Sequence, residues 1–435
     1  MGGSPLKVEG ATDASAVPVP GWMANFERRP CTLDTVMSTA SEATPAPTMI
    51  LLRHADIYAP EALGLNDILV GGGKVLWIGK EAADLGTFRA EQVDLQGRRL
   101  IPGLLDCHAH VTGGGGEAGA HTRVPSVPLS RFTLGGVTTV VGVLGTDCTT
   151  RTMRDLVATV NGLRNEGLGA YAWTGGYPVP PLTLTGSVRD DMAFVDCILG
   201  VGELAISDHR SSQPTLDEFL RIASDAHLGG LFTGKAGLLH LHMGNGPRGL
   251  SLIREALALS ELPPRVFNPT HVNRRKALFD EAVDLARLGC CIDLTAFPVE
   301  EGEDAWTAAE GLRRYLASGA PPERVTISSD GGGCLPHFDG EGRITHMGVG
   351  SPASLMETLL ELTASGEALD HVLPAFTSNP AGLLRLSGKG RIQVGADADL
   401  VVLGPGGAED VMMKGAWFVR AGAALRRGMF EEPNP

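Results

Sequence analysis

The chain has 435 residues, of which 43% are hydrophobic and 5% aromatic, and its formal net charge at pH 7 is −14. This length exceeds one ordinary core, so the choice is between two domains and one large α/β barrel with an appended unit. The acidic balance argues against nucleic acid or an anionic membrane surface as the main partner. No apolar run is long enough to span a bilayer.

The N-terminal segment and the cysteines indicate the cellular compartment of the protein. Residues 1–47 are rich in Ala, Ser, Thr and Pro without periodicity, and we expect a disordered leader there. The N-terminus lacks a basic region followed by an apolar one, so no secretory signal is indicated. Seven cysteines without a CxxC pair favour free thiols in a reducing compartment, and we expect a cytoplasmic protein.

The next segment has short strand candidates separated by Gly and Asp turns, and strand-and-turn character returns near the C-terminus. We therefore expect residues 48–101 and 386–435 to form one small β-sandwich domain. The chain between them, residues 102–385, would be inserted in that domain.

The inserted segment alternates apolar strand candidates with helical patterns. The eight strand candidates are "GLLDCHAH", "GVTTVVGVLG", "GLGAYAWTGG", "VGELAIS", "GLLHLHMG", "RVFNPTHVNR", "CIDLTAFP" and "RVTISSDGGG". One intervening helix begins at capping-box spacing, with Thr215 and Glu218, and is expected to end at Gly229 and Gly230. The pattern predicts an α/β fold with a (β/α)₈ TIM-like barrel. A doubly wound open sheet is the alternative.

Side chains of metal-ligand type follow several of these strands. His108 and His110 lie two residues apart, a spacing that points both imidazoles to the same face of a strand. His242, His271 and Asp330 follow three later strands. The carboxyl ends of barrel strands form the catalytic face, and imidazole and carboxylate suit Zn²⁺ and similar ions. Each residue alone is more often an ordinary polar residue, but their joint order indicates a metal centre.

Glu203 lies among the apolar residues of the fourth strand candidate, and we place it at the end of that strand. An ionised carboxylate there is costly unless cations or donors meet it. We expect Glu203 to bridge two divalent cations, most simply Zn²⁺. The other ligands divide between the cations: His108, His110 and Asp330 for one, His242 and His271 for the other. The alternative is that Glu203 makes only a salt bridge.

Several motifs carry a resemblance to a known family: "PGLLDCHAHVTGGGGEAG", "SRFTLGGVTTVVGVLGTD", "AISDHRS", "HMG", "PTHVNR" and "SSDGGG". From about residue 50 to residue 430 the chain resembles the amidohydrolase superfamily, and within it the isoaspartyl dipeptidases. "GGGGEAG" and "ISDHRS" point to the dipeptidases. The resemblance implies a homo-oligomeric binuclear metal hydrolase that cleaves isoAsp-X dipeptides with a hydroxide activated by both metals.

The resemblance also implies a role for each residue around the metals. Asp330 would act as general base, and Tyr177 would hydrogen-bond the oxyanion. The implied substrate contacts are Glu117 for the ammonium group, Arg210 and Arg274 for the carboxylates, and Gly115 and Thr146 for further contacts.

The chain departs from the family pattern at two positions. The family has a lysine, carboxylated to a carbamate, where this chain has Glu203, and "GVGELAIS" carries one extra residue before the ligand. We expect a local β-bulge to bring the shorter glutamate forward. Cys334 replaces a serine that contacts the substrate α-carboxylate, and a thiol is a weaker donor than a hydroxyl. Two alternative functions remain: an amidohydrolase acting on cyclic amides or N-acyl amino acids, and a non-catalytic scaffold.

Overall fold

The structure is a computed structural model that describes residues 49–80, 89–338 and 344–432. The expected leader, residues 1–47, lies outside the described residues and stays a prediction. The described strands are β1 Met49–Tyr58, β2 Ala62–Gly71, β3 Lys74–Gly79, β4 Glu91–Asp94, β5 Arg99–Pro102, β6 Leu104–Ala109, β7 Val137–Gly142, β8 Gly169–Thr174, β9 Ile198–Ile206, β10 Leu239–Met243, β11 Phe267–Thr270, β12 Ile292–Thr295, β13 Val325–Ser328, β14 Cys334–Phe338, β15 Ile344–Val349, β16 Leu400–Gly404, β17 Gly407–Met413, β18 Ala416–Arg420 and β19 Ala423–Ala424.

The described helices lie mainly between the barrel strands. They are α1 Leu129–Leu134, α2 Met153–Asn165, α3 Val188–Phe194, α4 Leu216–Thr233, α5 Ser251–Leu259, α6 Lys276–Leu288, α7 Ala308–Ala317, α8 Ser354–Ala364, α9 Leu369–Val372 and α10 Ser378–Leu383. Within the described ranges, no helix has both the length and the apolarity needed to cross a membrane.

The two ends of the described chain join in one nine-stranded sheet. Its strands run in the order β19-β18-β17-β16-β5-β1-β2-β3, and β4 pairs with β1. The junction is antiparallel between β5 and β16, where Ile101 lies opposite Val401. Terminal segments therefore combine in one β unit, as expected. Its packing as a sandwich and the proposed domain boundaries stay predictions.

The central segment forms a TIM-like barrel. Strands β6 to β11 hydrogen-bond in chain order as a parallel six-stranded sheet, and β12 pairs in parallel with β13. Side chains link β11 to β12, since the Asn268 amide donates to the Cys291 carbonyl over 2.8 Å. The end of β13 returns to β6, because the Asp330 amide donates to the His108 carbonyl over 3.1 Å. The strand order shows no reversal, so the open-sheet alternative is wrong and all eight strand candidates are confirmed.

Helix α4 begins as predicted but ends later. Thr215 and Glu218 form the reciprocal capping box, and the helix closes at Gly234 in the left-handed conformation. The expected end at Gly229 and Gly230 is wrong. A Cβ at Gly229 would lie 2.6 Å from the Met192 sulfur, and one at Gly230 would lie 2.6 Å from the Cα of Gly237. These glycines allow close packing inside the helix instead of terminating it.

Candidate metal and substrate site

The barrel brings the six predicted ligands to its carboxyl-terminal end. His108 lies in β6, with His110 just after it, and His242 lies in β10. His271 and Asp330 follow β11 and β13, and both adopt positive φ angles where the chain leaves the strand. Glu203 is inside β9, three residues before its end, and not at the end as the sequence suggested. All six side chains nevertheless meet in one cluster.

The first group of ligand atoms surrounds one oxygen of Asp330. Its Oδ1 lies 3.1 Å from His110 Nε2 and 3.5 Å from His108 Nε2. These three residues form one set with the spacing that could hold a cation. His108 belongs to a second such set, with Glu203 and His271.

Glu203 lies between the imidazoles. Its Oε2 is 3.1 Å from His242 Nδ1, and its Oε1 is 3.7 Å from His110 Nε2. The same Oε2 is 3.6 Å from His108 Nε2 and 3.7 Å from His271 Nε2. The carboxylate is 1% exposed, so its compensating charge has to come from within this cluster.

The cluster suits a divalent cation better than it suits hydrogen bonds. Among the described residues, His108 Nε2, Glu203 Oε1 and Asp330 Oδ1 are buried without a hydrogen-bond partner. Two ligand atoms about 2.1 Å from a tetrahedral Zn²⁺ lie about 3.4 Å apart, which matches the observed spacings. The neighbouring backbone also leaves room for these side chains, because a Cβ at Gly145 would lie 2.4 Å from a carbon of the His110 ring. The residues present therefore fit a divalent metal.

A register shift in β9 accounts for the position of Glu203. Val201 pairs with Leu239 while Leu204 pairs with Leu241, so β9 carries one more residue than β10 over this stretch. The expected bulge is confirmed. Gly202 is required beside it, because a Cβ there would lie 2.8 Å from the Cβ of His240.

The electrostatics of the cluster favour cations. Burial raises the pKa of Glu203, but the charge of His108, the hydrogen bond with His242 and the nearby His271 imidazole outweigh burial and hold that pKa well below its usual range. Burial lowers the pKa of His108, yet the nearby Glu203 and Asp330 carboxylates raise it to about 9. Burial keeps the pKa of His271 well below its usual value. Surroundings that draw a proton onto a fully buried imidazole also attract a metal ion.

Tyr177 and the two arginines lie around His242. The Tyr177 hydroxyl is 2.7 Å from His242 Nδ1. On the other side of the ring, Arg210 Nη2 and Arg274 Nη1 lie 3.2 and 3.3 Å from His242 Nε2. Glu117 is half-exposed and its Oε1 is 3.4 Å from Arg210 Nη1. The charged groups predicted to contact substrate thus lie together beside the metal-ligand cluster.

The remaining predicted contacts lie on the same side. Thr146 lies close enough to the Tyr177 phenol to lower its pKa, against the larger effect of burial. A Cβ at Gly115 would lie 3.4 Å from the Cβ of Cys334, so these two residues are adjacent. Burial raises the pKa of Cys334, and the charges of Glu117 and Asp330 raise it further.

Asp208 belongs to the site and was not singled out from the sequence. Its carboxylate binds the Arg210 guanidinium with two bonds, Oδ1 to Nε at 3.0 Å and Oδ2 to Nη2 at 2.8 Å. Its Oδ2 is also 3.1 Å from His242 Nε2. The sequence feature that could have identified Asp208 is its position in "ISDHRS", two residues before Arg210.

Comparisons with known proteins agree with this geometry. A family model described as amidohydrolase family matches residues 269–420. A solved β-aspartyl dipeptidase from the thermophilic keratin-degrading Fervidobacterium islandicum AW-1, in complex with β-Asp-Leu dipeptide, is 38% identical with a TM-score of 0.82, and the match covers 87% of this chain and 98% of that one. This chain belongs to the isoaspartyl dipeptidase family of the amidohydrolase superfamily.

The chain is also similar to more distant proteins. An imidazolonepropionase from Anaeromyxobacter sp. (strain K) is 25% identical over 82% of this chain and 87% of that protein. A D-hydantoinase structure, 17% identical with a TM-score of 0.61, covers 88% of this chain and 97% of its own, and shows the same fold. The protein is accordingly a dipeptidase-like amidohydrolase.

Proposed function

We propose that this amidohydrolase cleaves the β-aspartyl bond of isoAsp-X dipeptides with two divalent cations, most simply Zn²⁺. The observation that carries the proposal is the buried carboxylate of Glu203, within 3.7 Å of four imidazoles and beside the charged groups at the site's edge. The proposed ligands are His108, His110, Glu203, His242, His271 and Asp330. When bound, such cations lower the pKa of a water molecule and polarise the scissile carbonyl.

Asp330 is the better candidate for general base of the two carboxylates in the cluster. Its side chain is 19% exposed, whereas that of Glu203 is 1% exposed. Only Asp330 is therefore open to the side from which water and substrate approach. Burial raises the pKa of Asp330, but its contacts with the His108 and His110 imidazoles outweigh burial and hold that pKa well below its usual value, so the carboxylate is ionised and able to accept a proton. The same group then returns the proton to the leaving amine.

Tyr177 is placed to stabilise negative charge on the carbonyl oxygen. Burial and the Glu203 charge raise the pKa of the phenol well above its ordinary value, so the hydroxyl stays protonated and can donate. A donor aimed at developing charge in a site with little water contributes directly to rate.

Substrate choice follows from charge at the edge of the site. Glu117 suits an α-ammonium group, and Arg210 and Arg274 suit carboxylates. An isoAsp-X dipeptide has one ammonium group and two carboxylates, so it matches this set, whereas a long peptide does not. Cys334 occupies the serine position of the family and offers a weaker donor to the α-carboxylate.

The proposal extends to the assembly and the compartment. We infer a cytoplasmic homo-oligomer whose partner is the small dipeptide and not nucleic acid or membrane. The net charge of −14 argues against a polyanionic partner, and the cysteines in the part of the chain that the structure describes are free thiols, which supports the compartment.

A substrate panel tests the proposed reaction. The zinc-loaded chain is assayed with isoAsp-Leu, Asp-Leu, dihydroorotate, hydantoin and N-acetyl amino acids, with metal content measured on the same samples. The expected result is turnover of isoAsp-Leu far above every other compound. Preferred hydrolysis of a cyclic amide or an N-acyl amino acid would contradict the substrate, and a chain that binds metal but turns over nothing would favour the scaffold.

A further inference from the structure

His240 is a fully buried imidazole with no role in the mechanism above. It is the first histidine of β10, two residues before the ligand His242, and its side chain points into the barrel interior beneath the cluster. Its Nε2 is 2.8 Å from Nδ1 of the ligand His108. Its own Nδ1 is 2.6 Å from Oδ1 of Asn268. Two imidazoles in contact through ring nitrogens need one donor and one acceptor, so the position of the protons can be worked out.

Asn268 sets the direction of this hydrogen-bond chain. Its Nδ2 lies 2.8 Å from the Cys291 carbonyl oxygen, which can only accept, so the amide nitrogen must face that carbonyl. The amide oxygen then faces His240 and can only accept from it. His240 therefore carries its proton on Nδ1.

The next hydrogen bond follows from the first. Among the described residues, the two ring nitrogens of His240 contact Asn268 Oδ1 and His108 Nδ1, and its proton lies on the side of Asn268. Its Nε2 is then a lone pair, which accepts the proton of His108 Nδ1. With Nδ1 donating to His240, Nε2 is the ring nitrogen of His108 at which a metal ion can displace a proton. Among the described residues it is a buried atom without a hydrogen-bond partner, and it faces Glu203 and Asp330.

We propose that His240, oriented by Asn268, is a positioning residue that holds the proton of His108 on Nδ1 and so presents its Nε2 lone pair to the metal. This inference rests on the proposed function, because it takes His108 as a ligand. Metal-binding histidines are commonly fixed by a partner on the second ring nitrogen. Here that partner is an imidazole held by the Asn268 amide of β11. The carbonyl of Cys291, the residue before β12, holds that amide in turn.

The surroundings of His240 hold its ring in place. Trp173 stacks on it with ring centroids 5.3 Å apart and planes 17° apart. The Trp173 indole is anchored by its own hydrogen bond to the Cys107 carbonyl at 3.0 Å. On the backbone side, Gly202 leaves no space beyond a hydrogen, since a Cβ would lie 2.8 Å from the His240 Cβ. The acceptor is thus fixed in position before any metal binds.

Zinc affinity tests the inference directly. Metal-free wild type, His240→Phe and His240→Gln are titrated with Zn²⁺ against a chromophoric chelator, and Co²⁺ absorption spectra are recorded in parallel. Phe keeps the ring but has no acceptor, and we expect its Kd for the weaker-bound ion to rise about 10- to 100-fold. Gln offers an amide oxygen to His108 and should recover part of the loss. His227→Phe is the matched control. His227 lies in α4, its Nδ1 has no hydrogen-bond partner among the described residues, and the variant should bind zinc as wild type does.

The melting temperature of each metal-free protein shows whether the variant is folded. A second variant, Asn268→Asp, tests the inference if His240→Phe does not fold. Asn268→Asp keeps the side-chain shape, but its negative charge favours a second proton on His240. His240 Nε2 then donates to His108 Nδ1, and the His108 proton moves to Nε2. We therefore expect zinc affinity to fall although the protein folds. Unchanged zinc affinity in folded His240→Phe, or in folded Asn268→Asp if the first variant does not fold, overturns the inference alone. Wild type that binds no zinc would overturn the proposed function and this inference together.

Discussion

Asp208→Asn tests whether Asp208, which was not identified from the sequence, holds the Arg210 guanidinium in position for substrate binding. The Asp208 side chain is 4% exposed and both its oxygens are used, by the Arg210 guanidinium and by His242. Asparagine keeps one oxygen and replaces the other with an amide group that cannot accept. One charge-assisted hydrogen bond to the guanidinium is lost, which costs about 1.5–3 kcal/mol.

That free energy corresponds to about a 10- to 150-fold decrease in kcat/KM, since about 1.4 kcal/mol is a factor of ten. We expect most of the decrease as a raised KM for isoAsp-Leu, because Arg210 is proposed to bind a substrate carboxylate. The assay is steady-state hydrolysis of isoAsp-Leu by the zinc-loaded protein, with metal content and melting temperature measured alongside.

Asp196→Asn is the matched control. Asp196 is also paired with an arginine, with Arg164 Nη2 at 2.6 Å from its Oδ2, but its side chain is 80% exposed. Exposed pairs contribute about 0–1 kcal/mol, so this variant should keep wild-type kinetics. Wild-type kcat/KM in Asp208→Asn with full metal content would refute this role of Asp208. An equal loss in both variants would also refute it.

Three further substitutions, one of them with a control variant, test other parts of the molecule. Glu117→Gln should strongly lower kcat/KM for isoAsp-Leu with metal content unchanged, and normal kinetics would refute its role in binding the ammonium group. Gly145→Ala places a Cβ 2.4 Å from the His110 ring and should weaken zinc binding at least about tenfold, whereas Gly162→Ala, in open space on α2, should leave it unchanged. Lys389→Met leaves the buried Asp399 carboxylate without its cation, whereas Asp397 keeps Lys74, and should lower the free energy of unfolding in urea by about 3–5 kcal/mol; a loss under about 1 kcal/mol would contradict that reasoning.

The barrel was predictable because its strands are buried on both faces and read as apolar runs. β9 is buried at all nine positions, which makes Glu203 stand out in sequence as well as in space. The order of ligand types at successive strand ends predicted their convergence because parallel strands share one carboxyl end. Even the bulge in β9 was expected, from one extra residue.

The features that escaped prediction depend on contacts between distant segments. Gly229 and Gly230 look like a helix end, but only the packed neighbours show that they admit Met192 and Gly237. Asp208 lies close to Arg210 in sequence, yet its bond to His242 exists only in the folded barrel. The chain from Asn268 to His108 joins three strands, and no spacing rule along the sequence reveals it.

Anomalous X-ray diffraction at the zinc edge, on crystals of the zinc-loaded chain, shows whether Glu203 bridges two cations. We predict two peaks at the barrel end, each about 2.0–2.2 Å from a different oxygen of Glu203, with His242 and His271 on one ion and His108, His110 and Asp330 on the other. A single peak, or two peaks with the Glu203 carboxylate bound to neither, would contradict it.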